Sequence, residues 1–596
     1  MSKYLKLLII LLLPLAAFSS YAASEYSGKI DLLTVSESNN TERGGIAHLS
    51  LVVEPGSGRI FIDSFPLSKI DTQITMRFAS EVACDLLERD CSNYDFFYTI
   101  TANSAVVGGP SAGAAATVLT VAVLDNQILD NKTIMTGTIN SGNLVGPVAG
   151  IPAKTRVAQD RGYERVIIPR WDNVNNTPDE ELSIEVIPVS TLEDALFYFT
   201  GKNYSKNIVF DESSKAGYNE IMRGVTADLC SKYSNVEEGS YSEDDIVLPS
   251  LSNYGINSTI NNLTNISNDN FLLAQDALLA GSYYSAASFC FGGNVKITHS
   301  ILKTMSNSEV QQEYVRLLAN LTEAKRELEV REASLNTISE LETYMIVAER
   351  LSEASEILYQ MNPENVSRQE FAYAIERYNT AKIWSRFYDL EGQEFVMDED
   401  LMKVVCSKKL SEAEERLNYL EMYYPDSEIR YDLSKAYDYY SRENYPLCIF
   451  TSSKVKAESD VVLSAIFISA NDTVRLFDEK MFAAQKAMAR QAESNIFPIL
   501  GYSYYEYANN LKDADIYSSL LYAEYSLELS NLDMYFKKKE LLMLPLDDSN
   551  DALFMFVAGL ILGAGVTLIG VVTYLQRRNR NNVKNKHTSH EKHKKK

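Results

Sequence analysis

The stretch Gly108-Gly109-Pro110-Ser111-Ala112-Gly113 places one serine among glycines, directly before an Ala/Val/Leu-rich run that ends at Leu124. Small neighbours let a substrate backbone approach the serine closely. A helix that starts here offers free N–H groups and the positive end of its dipole to an oxyanion. The stretch therefore predicts either a serine nucleophile or only a tight strand-to-helix turn that contains a serine.

The residues around this stretch predict an α/β domain over residues 26–201. We expect strands over Phe96 to Ala102 and over Lys132 to Ile139, and helices over Ala112 to Leu124 and Ile151 to Gly162. The helix after the serine is apolar on nearly all sides, which indicates that it is buried.

Residues 205–548 are rich in Tyr, Ala, Leu and Glu, with helical spacing and few strand signals. Two segments, Ala274 to Ala287 and Leu433 to Pro446, resemble the paired helices of tetratricopeptide-type repeats, although no strict period appears. We therefore expect an irregular all-helical solenoid or bundle. The charged stretch from Ser308 to Leu358 fits either a coiled-coil hairpin or plain helices with solvated faces.

The two ends of the chain indicate an exported, membrane-anchored protein. Residues 1–22 have the lysines, apolar run and small residues of a secretory signal peptide. Residues 552–575 contain no charge and are long enough for one transmembrane helix. The tail at 576–596 has nine Lys or Arg residues and one Glu, which places it in the cytoplasm by the positive-inside tendency. The sequence thus predicts a single-pass protein of the cell membrane, with its catalytic domain outside the cytoplasm.

The net charge of the whole chain is −24, and removing the basic tail leaves the outer part more acidic still. Such a surface repels nucleic acid, so we expect no nucleic-acid partner. Asn-x-Ser/Thr acceptors for glycosylation agree with export. They stand at Asn39, Asn131, Asn175, Asn203, Asn257, Asn262, Asn265, Asn320, Asn365 and Asn471.

The six cysteines are an even number in an oxidising location, which predicts disulfides. Their spacing favours a Cys84–Cys91 bond. Neighbour pairing would also join Cys230 to Cys290 and Cys406 to Cys448, but the sequence leaves these pairs open.

The serine block also fits the G-x-S-x-G motif of α/β-hydrolases, which requires a downstream acid and histidine. His48 precedes the serine, His299 lies in the helical region, and the other three histidines lie in the tail. A Ser-His-Asp triad is therefore not expected. The sequence contains no H-E-x-x-H, C-x-x-C or G-x-x-x-x-G-K-[ST] motif, so we expect neither a metal nor another cofactor.

Lysine is the next candidate for the base, because desolvation lowers the pKa of a lysine side chain. Lys154 is the charged residue at the end of a small-residue turn, Gly146 to Ala153. Its spacing also fits a surface lysine on an amphipathic helix.

The run from Gly109 to Pro169 resembles the proteolytic domain of the Lon peptidase family. Five blocks occur in the family's order, and the 43 positions from Ser111 to Lys154 match the spacing of its Ser–Lys dyad. The blocks are Gly109-Pro110-Ser111-Ala112-Gly113, Met135-Thr136-Gly137, the turn Gly142 with Pro147 and Gly150, Lys154, and Val166-Ile167-Ile168-Pro169.

The resemblance implies Ser111 as nucleophile, Lys154 as general base and Thr136 as the hydroxyl that orients the lysine. It also implies that backbone N–H groups around the serine, at Gly109 and Ala112, hold the oxyanion. Three positions depart from the family's pattern, with Gly108 and Thr138 in place of acids and Pro152 in place of a lysine.

Family members usually carry an ATPase module, and these 596 residues contain none. The overall arrangement resembles an exported, membrane-anchored group of archaeal Lon-like serine proteases. We therefore expect an ATP-independent serine endopeptidase that cleaves loose segments, peptides or damaged exported proteins. The helical domain would restrict access or recruit a protein partner.

Two other hypotheses stay open. The chain fits a surface binding or scaffold protein with an inactive Lon-like domain and a working helical domain. A secreted α/β-hydrolase acting on esters is the third hypothesis, and it lacks the histidine that it needs.

Overall fold

Strands and helices alternate along the N-terminal part of the chain. The computed structural model describes residues 26–38, 41–170, 183–206, 210–238, 269–425 and 427–539, together with 559, 563 and 566–575. The first strands are β1 (Tyr26–Ser38), β2 (Thr41–Pro55), β3 (Ile60–Ser68), β4 (Tyr94–Val107), β5 (Thr133–Met135), β6 (Thr138–Ile139), β7 (Val145–Gly146), β8 (Arg165–Pro169) and β9 (Glu185–Val189). The helices among them are α1 (Ile70–Leu86), α2 (Gly113–Leu124), α3 (Ile151–Asp160) and α4 (Leu192–Thr200). We call described residues 26–206 the α/β part.

Within the described residues, seven strands form one mixed sheet in the order β3-β4-β2-β1-β5-β8-β9. Strand β2 runs antiparallel to β1 and β4, and the other neighbouring pairs are parallel. Strands β6 and β7 form a separate antiparallel pair. The parallel strands β5 and β8 place their carboxyl ends at the same edge of the sheet.

The helices of the α/β part lie on both faces of this sheet. On one face, α1, α2 and α4 pack against residues such as Leu32, Met135 and Ile167. On the other face, α3 packs against Leu33 and Ile134. Leu33 follows Leu32 in the sequence, and Ile134 precedes Met135. Since successive side chains of a strand point to opposite faces, α2 and α3 lie on opposite sides of β5.

The predicted elements of the α/β part are confirmed with one informative difference. Helix α2 is buried at every position, as its apolar composition predicts. The single strand predicted over Lys132 to Ile139 is instead two short strands, β5 and β6, interrupted at Thr136 and Gly137. A Cβ at Gly137 would lie 2.5 Å from Val145 Cγ1, so the chain leaves the sheet where only glycine fits.

The rest of the compact unit is helical, as the sequence predicts; we call described residues 210–537 the helical part. Its helices are α5 (Ala216–Glu238), α6 (Tyr283–Thr304), α7 (Asn307–Glu332), α8 (Ile338–Gln360), α9 (Arg368–Trp384), α10 (Glu399–Glu421), α11 (Ile429–Ser441), α12 (Tyr445–Phe467), α13 (Thr473–Glu493), α14 (Ile499–Leu511) and α15 (Ile516–Leu529), with residues 269–279 also helical. Two short strands are β10 (Phe395–Val396) and β11 (Lys537–Lys538). Helix α8 is buried along much of its length, which favours plain packed helices over an isolated coiled-coil hairpin.

Three disulfides connect neighbouring elements. The Cys84–Cys91 bond fastens the end of α1 to the turn before β4. The other two join α5 to α6 through Cys230–Cys290, and α10 to α12 through Cys406–Cys448. Disulfide formation is thus confirmed, and all three bonds follow the neighbour pairing that the sequence left open.

The α/β part and the helical part belong to one compact unit that ends at Lys537, and residues from Lys538 onward form a second unit. The predicted division of the chain near residues 201–205 stays a prediction. The α/β and helical character on either side of it agrees with the predicted fold class.

The predicted transmembrane helix at 552–575 needs correction. Among the described residues, no helix combines the length and the apolar character that crossing a membrane requires.

Several sequence predictions fall outside the described residues. These are the signal peptide at 1–22, the basic tail at 576–596, most of the range 552–575, and the glycosylation acceptors Asn39, Asn175, Asn257, Asn262 and Asn265.

Candidate active site

The serine block forms the turn between β4 and α2. Gly109 has a φ of 103°, a positive value that favours glycine. Residues Pro110–Ala112 form a single 3₁₀ turn, and α2 begins at Gly113. A Cβ at Gly113 would lie 2.9 Å from Ile139 Cγ2, so a larger residue requires a shift. The half-buried Ser111 therefore stands at the start of a helix, where the sequence predicted it.

The two predicted oxyanion donors differ in their surroundings. The N–H of Gly109 donates to the carboxylate of Asp71, with 3.0 Å between N and Oδ2. Asp71 lies in the first turn of α1, so a neighbouring helix supplies an acid beside the serine turn. Ala112, the second predicted donor, lies in the 3₁₀ turn itself.

Thr136 stands where the chain leaves the sheet after β5. Its side chain is completely buried. Its backbone N–H donates to Ile167 O at 3.0 Å, which fixes its position beside β8. Its hydroxyl donates to the carbonyl oxygen of Ser111 at 3.3 Å and accepts a hydrogen bond from Lys154 Nζ at 3.1 Å. Thr136 thus connects the serine turn to the lysine.

Lys154 lies in the first turn of α3. Gly150, with a φ of 71°, precedes the helix, and Pro152 occupies its first turn, where the missing N–H removes no helical hydrogen bond. The Lys154 N–H donates to Gly150 O at 2.9 Å. The Lys154 side chain is only 2% exposed, which excludes the alternative of a surface lysine on an amphipathic helix.

The placement of three candidate residues follows from the sheet. Ser111 precedes a helix on one face, Lys154 begins a helix on the other face, and Thr136 stands at the carboxyl end of the strand between them. The two hydrogen bonds of Thr136 join all three residues at that edge.

The two described histidines have other surroundings. His48 Nδ1 lies 2.5 Å from Asp31 Oδ1, across the β1–β2 hairpin, and the His48 side chain is 66% exposed. His299 lies on α6 in the helical part. The geometry therefore agrees with the sequence argument against a Ser-His-Asp triad in the described residues.

A small cavity beside Pro110 lies between the α/β part and the helical part. Its volume is about 10 Å³, roughly the space that one water molecule occupies. It is lined by Ile74, Thr75, Phe78, Pro110 and Ile139 of the α/β part and by Glu412, Glu415, Arg416 and Lys456 of the helical part. The helical part therefore covers the chain next to the candidate nucleophile.

Buried charges line the helical side of this cavity. Burial raises the pKa of Glu415 to about 7, and the nearby carboxylate of Asp460 adds to that rise, while Arg416 and Lys456 oppose it. The Arg416 Nε lies 3.1 Å from Asp460 Oδ1. Although burial alone would raise the pKa of Glu528, the paired lysines lower it to about 2.

Three buried acids of the helical part lie close enough to share a cation. Oxygen atoms of Asp460, Glu524 and Glu528 come within 4.8 Å of one another. Each acid already has a cationic partner, and these partners are Arg416, Lys480 and Lys456. Because these cations balance the carboxylates, we assign the cluster to a buried ion network rather than to a metal site.

Two sets of residues near the site escaped the sequence analysis. Asp71 was not among the predicted site residues, although an acid in the first turn is a typical signal of a helix start. Nothing in the local sequence around the residues of the helical part that border the site indicates that they lie there. Tyr419, for example, lies 270 positions from its hydrogen-bond partner Ala149.

Comparison with known proteins identifies the class of this domain. Residues 87–199 match the family model of the Lon protease (S16) C-terminal proteolytic domain. The matched range runs from the end of α1 into α4 and contains Ser111, Thr136 and Lys154. No curated protein matches the chain. Residues 87–199 therefore form a Lon-type peptidase domain, which confirms the family predicted from the five blocks. The narrower resemblance to an exported archaeal group stays a prediction.

Proposed function

We propose that this chain is a serine endopeptidase that cleaves polypeptides without ATP, with Ser111 as nucleophile and Lys154 as general base. The observation that carries the proposal is the buried Lys154 amine hydrogen-bonded to Thr136, whose hydroxyl in turn bonds the Ser111 carbonyl. Burial favours the neutral amine over the ammonium, and only the neutral amine accepts a proton.

In the proposed reaction, the Ser111 hydroxyl attacks the scissile carbonyl while Lys154 Nζ takes its proton. Backbone N–H groups at the start of α2 stabilise the oxyanion of the tetrahedral intermediate. The C–N bond then breaks, and Lys154 gives the proton to the leaving amine. Water hydrolyses the acyl-serine in a second round, with Lys154 again serving first as base and then as acid.

Asp71 affects how the oxyanion is held. Its carboxylate already accepts the N–H of Gly109, so a substrate oxyanion has to displace Asp71 in order to use that donor. We therefore assign the main oxyanion contact to the 3₁₀ turn, at Ala112, and a secondary contact to Gly109.

Two further observations support the proposed location outside the cytoplasm and the proposed independence from ATP. Three disulfides favour an oxidising compartment outside the cytoplasm, where cytosolic reductants are absent. The 596 residues contain no G-x-x-x-x-G-K-[ST] motif for nucleotide binding. An enzyme of this kind would act on peptides and on loose segments of exported proteins rather than unfold its substrates.

One observation favours the scaffold alternative. The helical part packs against the serine turn, and the cavity between them beside Pro110 holds about 10 Å³. A substrate therefore has to approach from another side or displace this contact. If the contact were permanent and complete, the helical part would be the working domain, and the peptidase domain would be inactive.

The decisive test uses the chain without its predicted signal peptide, purified from an oxidising expression host. Wild type is incubated with an unfolded protein and a peptide pool beside Ser111→Ala, Lys154→Ala and Lys132→Ala. Lys132 is an exposed lysine of the same domain and serves as control. We expect cleavage by wild type and Lys132→Ala only. Absence of cleavage by wild type, or full activity of Ser111→Ala, would reject the peptidase proposal.

A further inference from the structure

The segment from Gly137 to Gly150 connects Thr136 to α3 and so determines where Lys154 lies. It contains β6, the 3₁₀ turn Ser141–Asn143 and β7. Its own strands are only two residues long, too short to hold it rigidly by themselves. The helical part contacts this segment at Ile139, Asn140, Ser141, Gly142, Leu144 and Ala149.

Helix α10 holds the segment near both ends. At the first end, Arg416 donates to Asn140 Oδ1 at 2.8 Å and to Ile139 O at 3.4 Å. At the other end, the Tyr419 hydroxyl accepts a hydrogen bond from the Ala149 N–H at 3.2 Å. Ala149 is the neighbour of Gly150, whose carbonyl accepts the Lys154 N–H.

Helices α12 and α15 hold the middle of the segment through a buried ion network. The Ser141 hydroxyl donates to Glu528 at 2.6 Å and accepts from Lys456 Nζ at 3.1 Å. Glu528 is completely buried and also pairs with Lys409 at 3.0 Å. Removing one partner from a buried ion network is strongly destabilising. The contact between Ser141 and Glu528 is therefore held firmly in place.

Apolar packing adds to these polar contacts. Leu144 packs in a cluster with Ala483 and Ala484 of α13 and Leu527 of α15. A Cβ at Gly142 would lie 2.4 Å from Leu527 Cδ2, so the backbone of the segment approaches α15 closely. Four helices of the helical part thus fix a segment that has little regular structure of its own.

We propose that Arg416 and Tyr419 are positioning residues, which act through the 137–150 segment to hold Lys154 against Thr136. The inference rests on the proposed peptidase function and assigns to the helical part a role in that reaction. Their hydrogen bonds go to Ile139, Asn140 and Ala149 of the segment, so we argue their effect on the reaction through that segment.

The positions of these contacts in the chain support a positioning role over general packing between the two parts. One end of the segment follows Thr136 by three residues at Ile139, and the other end precedes Lys154 by five residues at Ala149. A shift of either end changes the distance between the lysine amine and the serine turn. Misplacing a catalytic group by 1 Å costs up to about 100-fold in rate.

The test compares single substitutions at Tyr419 and Arg416; at Arg416 they also affect its ion pair with Asp460, so Tyr419→Phe is the cleaner variant. Tyr419→Phe removes only the hydroxyl that accepts the Ala149 N–H. Arg416→Gln removes the charge and shortens the reach, and Arg416→Lys restores the charge. Tyr439→Phe is the control, since the Tyr439 hydroxyl bonds Ser352 within the helical part, at 3.1 Å. Each variant is measured for kcat and KM on a fluorogenic peptide, for the midpoint of thermal unfolding, and for hydrogen exchange.

We expect Tyr419→Phe and Arg416→Gln to lower kcat about tenfold or more, with KM within about twofold of wild type. Arg416→Lys recovers part of the loss, and Tyr439→Phe matches wild type. Amide exchange of residues 137–156 becomes faster in Tyr419→Phe, whereas α2 keeps its protection. These results together would support the positioning role.

Two outcomes overturn it. Unchanged exchange of residues 137–156 in both Tyr419→Phe and Arg416→Gln shows that the contacts do not hold the segment. Faster exchange with an unchanged kcat shows that the segment does not position the lysine. An inactive wild type, or an active Ser111→Ala, instead rejects the peptidase function on which the inference rests, and the exchange data then describe a structural contact only.

Discussion

The hydroxyl of Ser141 donates a hydrogen bond to Glu528, 387 positions later in the chain, at 2.6 Å. Glu528 also pairs with Lys409 and Lys456, both at 3.0 Å, and all four groups are buried. This contact ties the turn between Thr136 and Lys154 to the last long helix of the helical part. The stability of the unit therefore depends on charges that bridge its two parts.

Replacing Glu528 by Gln is expected to lower the free energy of unfolding by about 3–5 kcal/mol, because it leaves two buried lysines with one carboxylate fewer. Glu356→Gln is the control, since Glu356 is 42% exposed and lies 3.7 Å from Lys435. The control should change the free energy by at most about 1 kcal/mol. Chemical unfolding followed by fluorescence measures both. An effect of Glu528→Gln as small as that of the control would contradict a buried network.

Glu506 on α14 should make the fold less stable at higher pH. It is buried and accepts the Ser285 N–H at 2.9 Å, and its burial raises its pKa to about 7 from 4.5. A carboxyl with a raised folded-state pKa contributes its stability fully below about pH 4.5, and the contribution is lost as the pH rises through 7.

Glu506→Gln is therefore expected to stabilise the protein at pH 8, by up to about 3 kcal/mol, and to change little at pH 4.5. Calorimetry at both pH values measures the unfolding midpoint, with Glu356→Gln as an exposed control. The prediction fails if Glu506→Gln and the control show the same dependence on pH.

Thr136→Val should lower kcat by about 10- to 100-fold, because valine has nearly the same shape but cannot bond Lys154 Nζ. Thr136→Ser keeps the hydroxyl and should retain most of the activity. Steady-state cleavage of a peptide measures both variants, and circular dichroism checks that they fold. Equal activities of the Val and Ser variants would show that the hydroxyl does not orient the lysine.

Gly142→Ala should destabilise the unit by about 2–4 kcal/mol, because the new Cβ meets a side chain and the backbone conformation is strained as well. Gly142 has a φ of 69°, and the added Cβ would lie 2.4 Å from Leu527 Cδ2. Gly162→Ala is the matched control, with a φ of 82° and nothing within 4 Å of the added Cβ. Its cost should be only the backbone strain, about 1 kcal/mol. Thermal unfolding compares them, and equal losses would argue against close packing of the segment on α15.

Replacing both Cys406 and Cys448 by Ser should lower the free energy of unfolding by about 2–4 kcal/mol, because their bond closes a loop of 42 residues. It should also lower kcat, since the bond joins α10, which carries Tyr419, to α12, which carries Lys456. The Cys84–Cys91 bond closes a much shorter loop of seven residues. Replacing these two cysteines by Ser therefore serves as the comparison. If stability falls but kcat does not change, the Cys406–Cys448 bond does not contribute to the positioning of Lys154.

The sequence predicted local features of the α/β part because these depend on local physics. The apolar run after Ser111 could only form a buried helix, and the five blocks identified the peptidase family before any geometry was known. The break between β5 and β6 was missed, since Thr136 suits a strand as well as a turn, and the break depends on the approach of Val145 to Gly137.

The contacts of the helical part could not be predicted for a different reason. Arg416 and Tyr419 lie on α10, where charged residues such as Arg416 are themselves buried, so the sequence reveals neither which face is covered nor what covers it. The predicted transmembrane helix was wrong in the described residues, where no helix is both long and apolar enough to cross a membrane. The division into domains at residues 201–205 stays a prediction.

The pairing of Asn140 with Arg416, and of Ala149 with Tyr419, has an evolutionary consequence. A peptidase domain that depends on another part of the same chain for these contacts cannot be transferred by recombination to a new partner and keep its geometry. Substitutions on the two sides have to be accepted together, so homologous sequences should show correlated changes at positions 140 and 416. The two parts are then inherited as a single unit.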